Sequence, residues 1–357
     1  MTASSRSASL ALALSLLMAT LTATAVQAAA PADRLAGSSR YDTAVAISGH
    51  QFPTGADTAY LARGVDPIVD ALAGGSLTDG PILLVPGNCA DLPAVVAEEL
   101  DRLAPDTVTA LGGAGAVCDD QLTSGAVAAG GATTTRLSGT NRYETAVSIS
   151  THQFPTGADT VHLARGVDPI VDALAGGTLT AGPILLVPGN CADLPAAVLA
   201  EITRLAPDTV TALGGSGAVC DDQLSAAAAA APSPARSGQA AATDRLSGLS
   251  RYDTGVAIST HQFPDGADTV YLARGVNPIV DALAGGSLTD GPILLVPGNC
   301  ADIPATVLAE ITRLAPDTVI ALGGVGAVCD DQLAAAAAAA PDPTPCLLYT
   351  SPSPRDS

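Results

Sequence analysis

GPILLVPGNCAD runs from Gly80 to Asp91 and returns unchanged at Gly182–Asp193 and Gly291–Asp302. Its centre, Pro81–Val85 in the first copy, is an unbroken apolar run, the pattern of a parallel strand buried on both faces. On its C-terminal side, Asp91 followed by Pro93 predicts an N-cap and first-turn proline for a helix reaching Leu103. Thr107–Leu111 then reads as a strand, followed by Gly112-Gly113 and a short helix from about Ala116. On its N-terminal side, Tyr41–Ser48 has helical apolar spacing. Thr58–Ala62 reads as a strand ending at Arg63-Gly64, and Pro67–Ala73 as a helix closed by Gly74-Gly75. Strands alternating with helices imply an α/β unit, a small parallel sheet flanked by helices with right-handed crossovers.

The flanking motifs recur with it. RLAGSSRYDTAVAIS at Arg34 returns as RLSGTNRYETAVSIS at Arg136 and RLSGLSRYDTGVAIS at Arg245; LGGxGAVCDDQL begins at Leu111, Leu213 and Leu322. A period a little over one hundred residues exceeds a solenoid repeat and suits a small domain. Three modules are therefore expected at 34–122, 136–224 and 245–333. Thr123–Thr135 and Ser225–Asp244, the latter with Pro232 and Pro234, read as linkers.

The 357 residues are 48% apolar and 14% charged, enough to bury a core. Net charge is -20, and all 15 basic residues are arginine. That balance excludes a duplex nucleic-acid binder and docking on an anionic membrane. No tryptophan and only 6 Tyr and 3 Phe argue against stacking platforms for bases or sugars. Arg6, the apolar stretch Leu10–Ala25 and the small-x-small Val26-Gln27-Ala28 predict a secretory signal peptide over 1–28, with an uncleaved anchor as the alternative. No later stretch reads as membrane-spanning, and no lipidation cysteine or LPxTG-like sorting motif is present. The tail 345–357 matches nothing in the repeats.

Six of 7 cysteines form repeated pairs, Cys89/Cys118, Cys191/Cys220 and Cys300/Cys329, each after adjacent strands. Export permits disulfides, and two cysteines per copy without nearby histidine make a poor zinc cage, so disulfides are expected. Cys346 is left over. No metal or cofactor is expected. GxSxG, HExxH and Walker patterns are absent, and His50, His152 and His261 in HQFP read as helix-end residues. His162 stands where the other copies have Tyr60 and Tyr271. The turn GGxGAV at Gly112, Gly214 and Gly323 lacks full dinucleotide spacing and reads as a strand-to-helix turn, with anion binding as a weaker use. Asp119-Asp120 suit a helix N-terminus, and Asp70, Asp172 and Asp281 read as structural groups.

Twelve of the 15 arginines fall at four repeated positions. Arg102, Arg204 and Arg313 are expected to pair within their own copy. Arg40, Arg142 and Arg251, with Arg63, Arg165 and Arg274, are the candidate ligand-binding residues. The second set follows a strand at the carboxyl edge, where open α/β sheets bind ligands, and guanidinium suits carboxylate or phosphate. Pairing with a local acid, such as Arg40 with Asp42, is the alternative.

The combination R-[LI]-x-G-x-x-R-Y-[DE]-T-A, LARG…DAL, GPILLVP and LGG…AV resembles the type 2 cell-wall-binding repeat of Gram-positive secreted and surface-layer proteins. The resemblance covers all three copies. It implies Rossmann-like or toprim-like modules packed as an intramolecular pseudo-threefold trimer. It also implies non-covalent binding of an anionic cell-wall polymer at the cell surface, with Pro81–Leu84, Pro183–Leu186 and Pro292–Leu295 near the interfaces and polymer grooves. The cysteine pairs depart from the family pattern. A wall-acting hydrolase and a self-assembling surface-layer component are the competing readings; the first needs a nucleophile–base pair that the motifs do not supply.

Overall fold

The computed structural model describes residues 29–341 except 67, 169, 171–173, 232–239 and 278; the side chains at 69–71 and 280 are also excluded. The expected signal peptide, Asp172, Pro232, Pro234, Cys346 and the tail lie outside these residues, as does the side chain of Asp70. No helix among the described residues is long and apolar enough to cross a membrane.

Twelve strands form three parallel four-stranded sheets. In chain order they are β1 (Ala32–Leu35), β2 (Thr58–Arg63), β3 (Ile82–Val85), β4 (Thr107–Leu111), β5 (Thr133–Leu137), β6 (Thr160–Arg165), β7 (Ile184–Val187), β8 (Thr209–Leu213), β9 (Ala242–Leu246), β10 (Thr269–Arg274), β11 (Ile293–Val296) and β12 (Thr318–Leu322). The strand orders are β3-β2-β4-β5, β7-β6-β8-β9 and β11-β10-β12-β1. The fold is thus three repeated α/β modules, as the alternation of elements implies.

Each sheet borrows its last strand from the next repeat. β5, the RL strand of the second repeat, completes the first sheet, with Ala110 opposite Arg136 and Leu111 opposite Leu137. β9 completes the second sheet in the same way. β1, near the start of the chain, pairs with β12 at the far end, Arg34 opposite Ala321. The three modules therefore close into a ring. The stretches read as linkers are corrected here: 123–135 holds the rest of a helix ending at Ala128 and the start of β5, and 225–244 holds a helix ending at Ala230 and the start of β9.

Each module carries three main helices. The leading helices are Arg40–Gln51, Arg142–Gln153 and Arg251–Gln262, capped by Ser39, Asn141 and Ser250, whose side-chain oxygens accept backbone N–H bonds from the first turn. The middle helices are Ala94–Leu103, Ala196–Leu205 and Ala305–Leu314. The first begins after Pro93, an extended cap residue making no side-chain bond, so Asp91 is not the cap and the proline is not the first helical residue. The closing helices are Asp119–Ala128, Asp221–Ala230 and Asp330–Ala339, which start three residues later than Ala116 in the first copy. The expected helix over Pro67–Ala73 is a 3-10 turn over Val69–Ser76; its third-repeat counterpart is a short α-helix, Val280–Ala284, running into a 3-10 turn at Gly285–Ser287.

The ILLV strands explain how one sequence builds two kinds of core. Side chains alternate across a strand. Ile82 and Leu84 join Ile184, Leu186, Ile293 and Leu295 in one central cluster shared by all three modules. Leu83 and Val85 face outward into the first module's own cluster with Val96, Leu100 and Val108. All four residues are 0–1% exposed, so Ile82 and Leu84 build the module interface and Leu83 and Val85 the module's own core. On the ring axis Gly75, Gly177 and Gly286 meet through bare main chain: a Cβ on Gly75 would lie 2.6 Å from the Gly177 Cα, and one on Gly286 3.0 Å from the Gly75 Cα.

The Arg102 positions pair inside their own copies, as expected. Arg204 grips Glu201 with two bonds of 2.7 Å, while Glu201 also accepts a 2.5 Å bond from Ser150 on the leading helix. The glutamate is buried and the arginine half-exposed, so the fork ties middle helix to leading helix in each module.

Candidate ligand clefts at the module seams

The carboxyl edges of the sheets gather the residues that the motifs single out. β2 ends at Arg63, β4 runs into the glycine turn, and the borrowed strand β5 leads to Gly139-Thr140-Asn141 and the N-terminus of the next leading helix. Gly113, Gly115 and Ala116 from one side and Gly139, Thr140, Asn141, Arg142 and Thr145 from the other line a cleft of about 320 Å³. The helix N-terminus turns its positive dipole toward this space, while the Gly139, Thr140, Tyr143 and Glu144 N–H groups donate to the Thr145, Glu144 and Asn141 side chains. Gly112 takes φ 96°, the left-handed geometry that makes glycine the fitting residue at this bend.

Arg142 straddles the seam. It lines this cleft while donating to the Gly166 carbonyl of its own module at 2.6 Å. Arg40 and Arg251 make the same bond, to Gly64 at 2.5 Å and Gly275 at 2.7 Å. Arg40 therefore does not pair with Asp42, whose carboxylate accepts from Ser38 and Ser39. The Ser39 bond, first, holds the Asp42 carboxyl below its usual range. Arg63 donates to the Gly115 and Asp66 carbonyls at 3.3 and 2.9 Å, Arg165 to Gly217 at 3.4 Å and Arg274 to Gly326 at 3.0 Å. Nε of Arg63 and of Arg165 is buried without a hydrogen-bond partner.

The seam between third module and first repeat shows which arginines belong together. Asp281, on the third module's short helix, feels both Arg274 of that module and Arg40 of the first repeat. Burial pushes its carboxyl above the usual range, and the two guanidiniums pull the other way. Arg40 and Arg274 thus share Asp281, and Arg63 donates to Gly115, which lines the cleft with Arg142. Pairings between copies are set by ring closure and carry no signal in the sequence of one copy.

Two further groups were not singled out as chemistry-bearing. Arg34, Arg136 and Arg245 pin the borrowed strands. Arg136 donates to the Gly112 carbonyl at 2.8 Å and to Asp119 at 2.9 Å, and Arg34 does the same to Gly323 and Asp330 across the closing seam. Asp119 therefore serves the helix dipole and this clamp together. Gln121, inside CDDQL, is buried and donates to the Pro86 and Ala90 carbonyls at 2.9 and 2.8 Å while accepting from the Cys118 N–H. It fastens the PGNC loop to the closing helix.

That loop carries the first cysteine of each pair. Cys191 and Cys220 are bonded, with Cα atoms 5.4 Å apart, and Cys300 and Cys329 are joined across 5.6 Å. Cys89 and Cys118 are free thiols here; the hydrogen bond that the Cys89 thiol makes to Cys118 is the first cause raising it. Asn88 and Cys89 both take left-handed φ, 57° and 51°, a conformation that the cross-link position helps to hold. In chain made in an oxidising compartment, all three pairs are expected to close. Thiol titration in denaturant should then find at most one free thiol, Cys346; three or more would refute the first bridge.

The family description cell wall binding domain 2 (CWB2) matches residues 34–122, 136–224 and 245–333. The chain belongs to this family. Two solved structures share the fold of this CWB2 chain. Cwp6 from Clostridium difficile superposes with TM-score 0.76 at 23% identity, over 88% of this chain and 48% of that one. Cwp8 from the same organism gives 0.71 at 22%, over 86% and 51%. The chain thus spans about half the length of these CWB2-like structures. No curated protein matches it.

Proposed function

We propose that this chain attaches non-covalently to the bacterial cell wall, lodging an anionic wall polymer in its three seam clefts and performing no catalysis. The observation that carries the reading is the partner set of the seam arginines. Among the described residues, Arg40, Arg63, Arg142, Arg165 and Arg251 donate their hydrogen bonds to main-chain carbonyls, with Asp281 the acid that feels Arg40 at the closing seam, so guanidinium charge is held at the seams chiefly by main chain. A guanidinium with free N–H edges beside a helix N-terminus accepts phosphate or carboxylate groups. Membership of the CWB2 family supports the wall as the place where such a polymer is met. Export by the signal peptide would bring the chain to that surface.

Net charge of -20 sets a condition on this reading. At long range an acidic chain and an acidic polymer repel, so attraction has to come from cationic grooves within about a Debye length. Three weak clefts on one repeating polymer gain affinity through effective concentration. The test is sedimentation of the mature chain with purified walls, before and after anionic polymers are stripped. Arg40→Gln, Arg142→Gln and Arg251→Gln combined are expected to cut retention on intact walls about 100-fold while circular dichroism stays native. Unchanged retention by that variant, or full retention on stripped peptidoglycan, overturns the reading.

A further inference from the structure

The three seams are built alike except at their amino edge. At the seam between third module and first repeat, the Tyr271 hydroxyl meets His50 Nε2 at 3.1 Å and the Asp290 carboxylate at 2.9 Å. At the seam between first module and second repeat, the Tyr60 hydroxyl meets His152 Nε2 at 3.3 Å and Asp79 at 2.7 Å. Both ring pairs are edge-on, with centroids 6.1 and 6.4 Å apart. Each histidine is thus linked through a phenol to a carboxylate. When it gains a proton, it donates to the phenol oxygen, whose own proton rests on the acid.

At the remaining seam two residues change together. The tyrosine becomes His162 and the aspartate becomes Ala181. His162 is 1% exposed, its Nδ1 has no hydrogen-bond partner, and it faces His261 of the third repeat. Its other neighbours supply no compensating acid. Ile184 and Thr211 stand opposite it on β7 and β8, and the turn before β7 brings Ala181 and Gly182. Asp159 and Arg204 line the same hollow as Ala181, and Arg204 is committed to Glu201. Asp265 lies in the turn after the His261 helix. At this seam a buried imidazole feels an exposed one, and alanine stands in the position where both other seams have a carboxylate.

We propose that the seam between the second module and the third repeat is the acid-labile joint of the ring, opening when its buried His162 imidazole is protonated while the other two seams stay shut. The direction follows from linkage. Burial, first, holds His162 down to about 4 from the ordinary 6.5; a hydrogen bond to the Gly182 main chain opposes this, and the charge of His261 adds to the lowering. The open seam therefore binds protons that the closed seam refuses, and closure weakens as pH falls below about 6.5. From these two values the open state gains roughly fifty-fold in relative population between pH 7 and pH 4.5.

Hydrogen exchange on the intact chain tests this, with the other seams as internal controls. Moving from pH 7 to 4.5, after correction for intrinsic exchange, should raise opening of 160–165 and 251–262 roughly fifty-fold. Segments 58–63, 142–153, 269–274 and 40–51 should change far less. His162→Tyr with Ala181→Asp rebuilds the arrangement of the other seams and is expected to abolish the excess; His261→Gln, which keeps a polar side chain, should reduce it. Equal opening at all three seams, or an undiminished excess in both variants, overturns the proposal.

Discussion

Deleting residues 29–36 is expected to destabilise the third module and leave the first largely intact. These residues open the first repeat, yet their strand completes the third sheet. The Val319 and Gly323 N–H groups donate to the Pro31 and Leu35 carbonyls at 3.0 and 2.9 Å, and Ala30 N–H donates to Ala337 at 3.1 Å. Arg34 adds its bonds to Gly323 and Asp330. At about 1 kcal/mol for each of these five bonds, the loss is on the order of 5 kcal/mol, borne by β12 and the closing helix Asp330–Ala339. Hydrogen exchange should show lost protection over 318–339 and little change over 58–137. The reverse pattern would mean that the borrowed strand does not close the ring.

The second large effect is expected on the ring axis. Gly75→Val puts a branched side chain where the Gly177 Cα lies 2.6 Å from even a single Cβ. The obstacle is main chain of another module, so no rotamer relieves it. Overpacking of this kind costs about 3 kcal/mol, and the three modules must move apart to admit it. Gly177→Val and Gly286→Val should behave alike, since the Cβ contacts there are 3.1 and 3.0 Å to the next glycine Cα. Gly49→Ala is the control. Its Cβ meets nothing within 4 Å and it lies in a helix, so about 1 kcal/mol of stabilisation is expected. Thermal melts decide the matter: equal midpoints for Gly75→Val and Gly49→Ala would refute close axial packing.

Much of the module was legible because its strands are buried on both faces. ILLV and TVTAL announce themselves as apolar runs, and both are strands at or within one residue of the expected bounds. The RL strand escaped notice for the opposite reason. Ala32–Leu35 and Thr133–Leu137 are half-exposed edge strands of threonine, aspartate and arginine, with no apolar face to read. Missing that strand hid how the expected pseudo-threefold arrangement closes, since closure is written in which sheet the strand joins. The candidate cations were legible only as single positions: Arg63 by its place after a strand at the carboxyl edge, Arg40 by its recurrence on an acidic chain. That Asp281 feels Arg274 of its own module and Arg40 of another copy has no counterpart in any local pattern. His50 was placed correctly at a helix end. Its phenolic partner Tyr271 is two repeats away and could be found only through three-dimensional packing.

The interlaced sheets also impose an order on folding during synthesis. The first sheet can finish once β5 emerges, and the second once β9 does. The third must recover β1, the earliest-made strand, across nearly the whole described chain. Contacts of such long sequence separation form slowly. β12 meanwhile presents an open edge able to recruit a strand from a neighbouring molecule. The final step of folding is thus an end-to-end reunion, and at high concentration it competes with an intermolecular counterpart in which two chains exchange their opening strands.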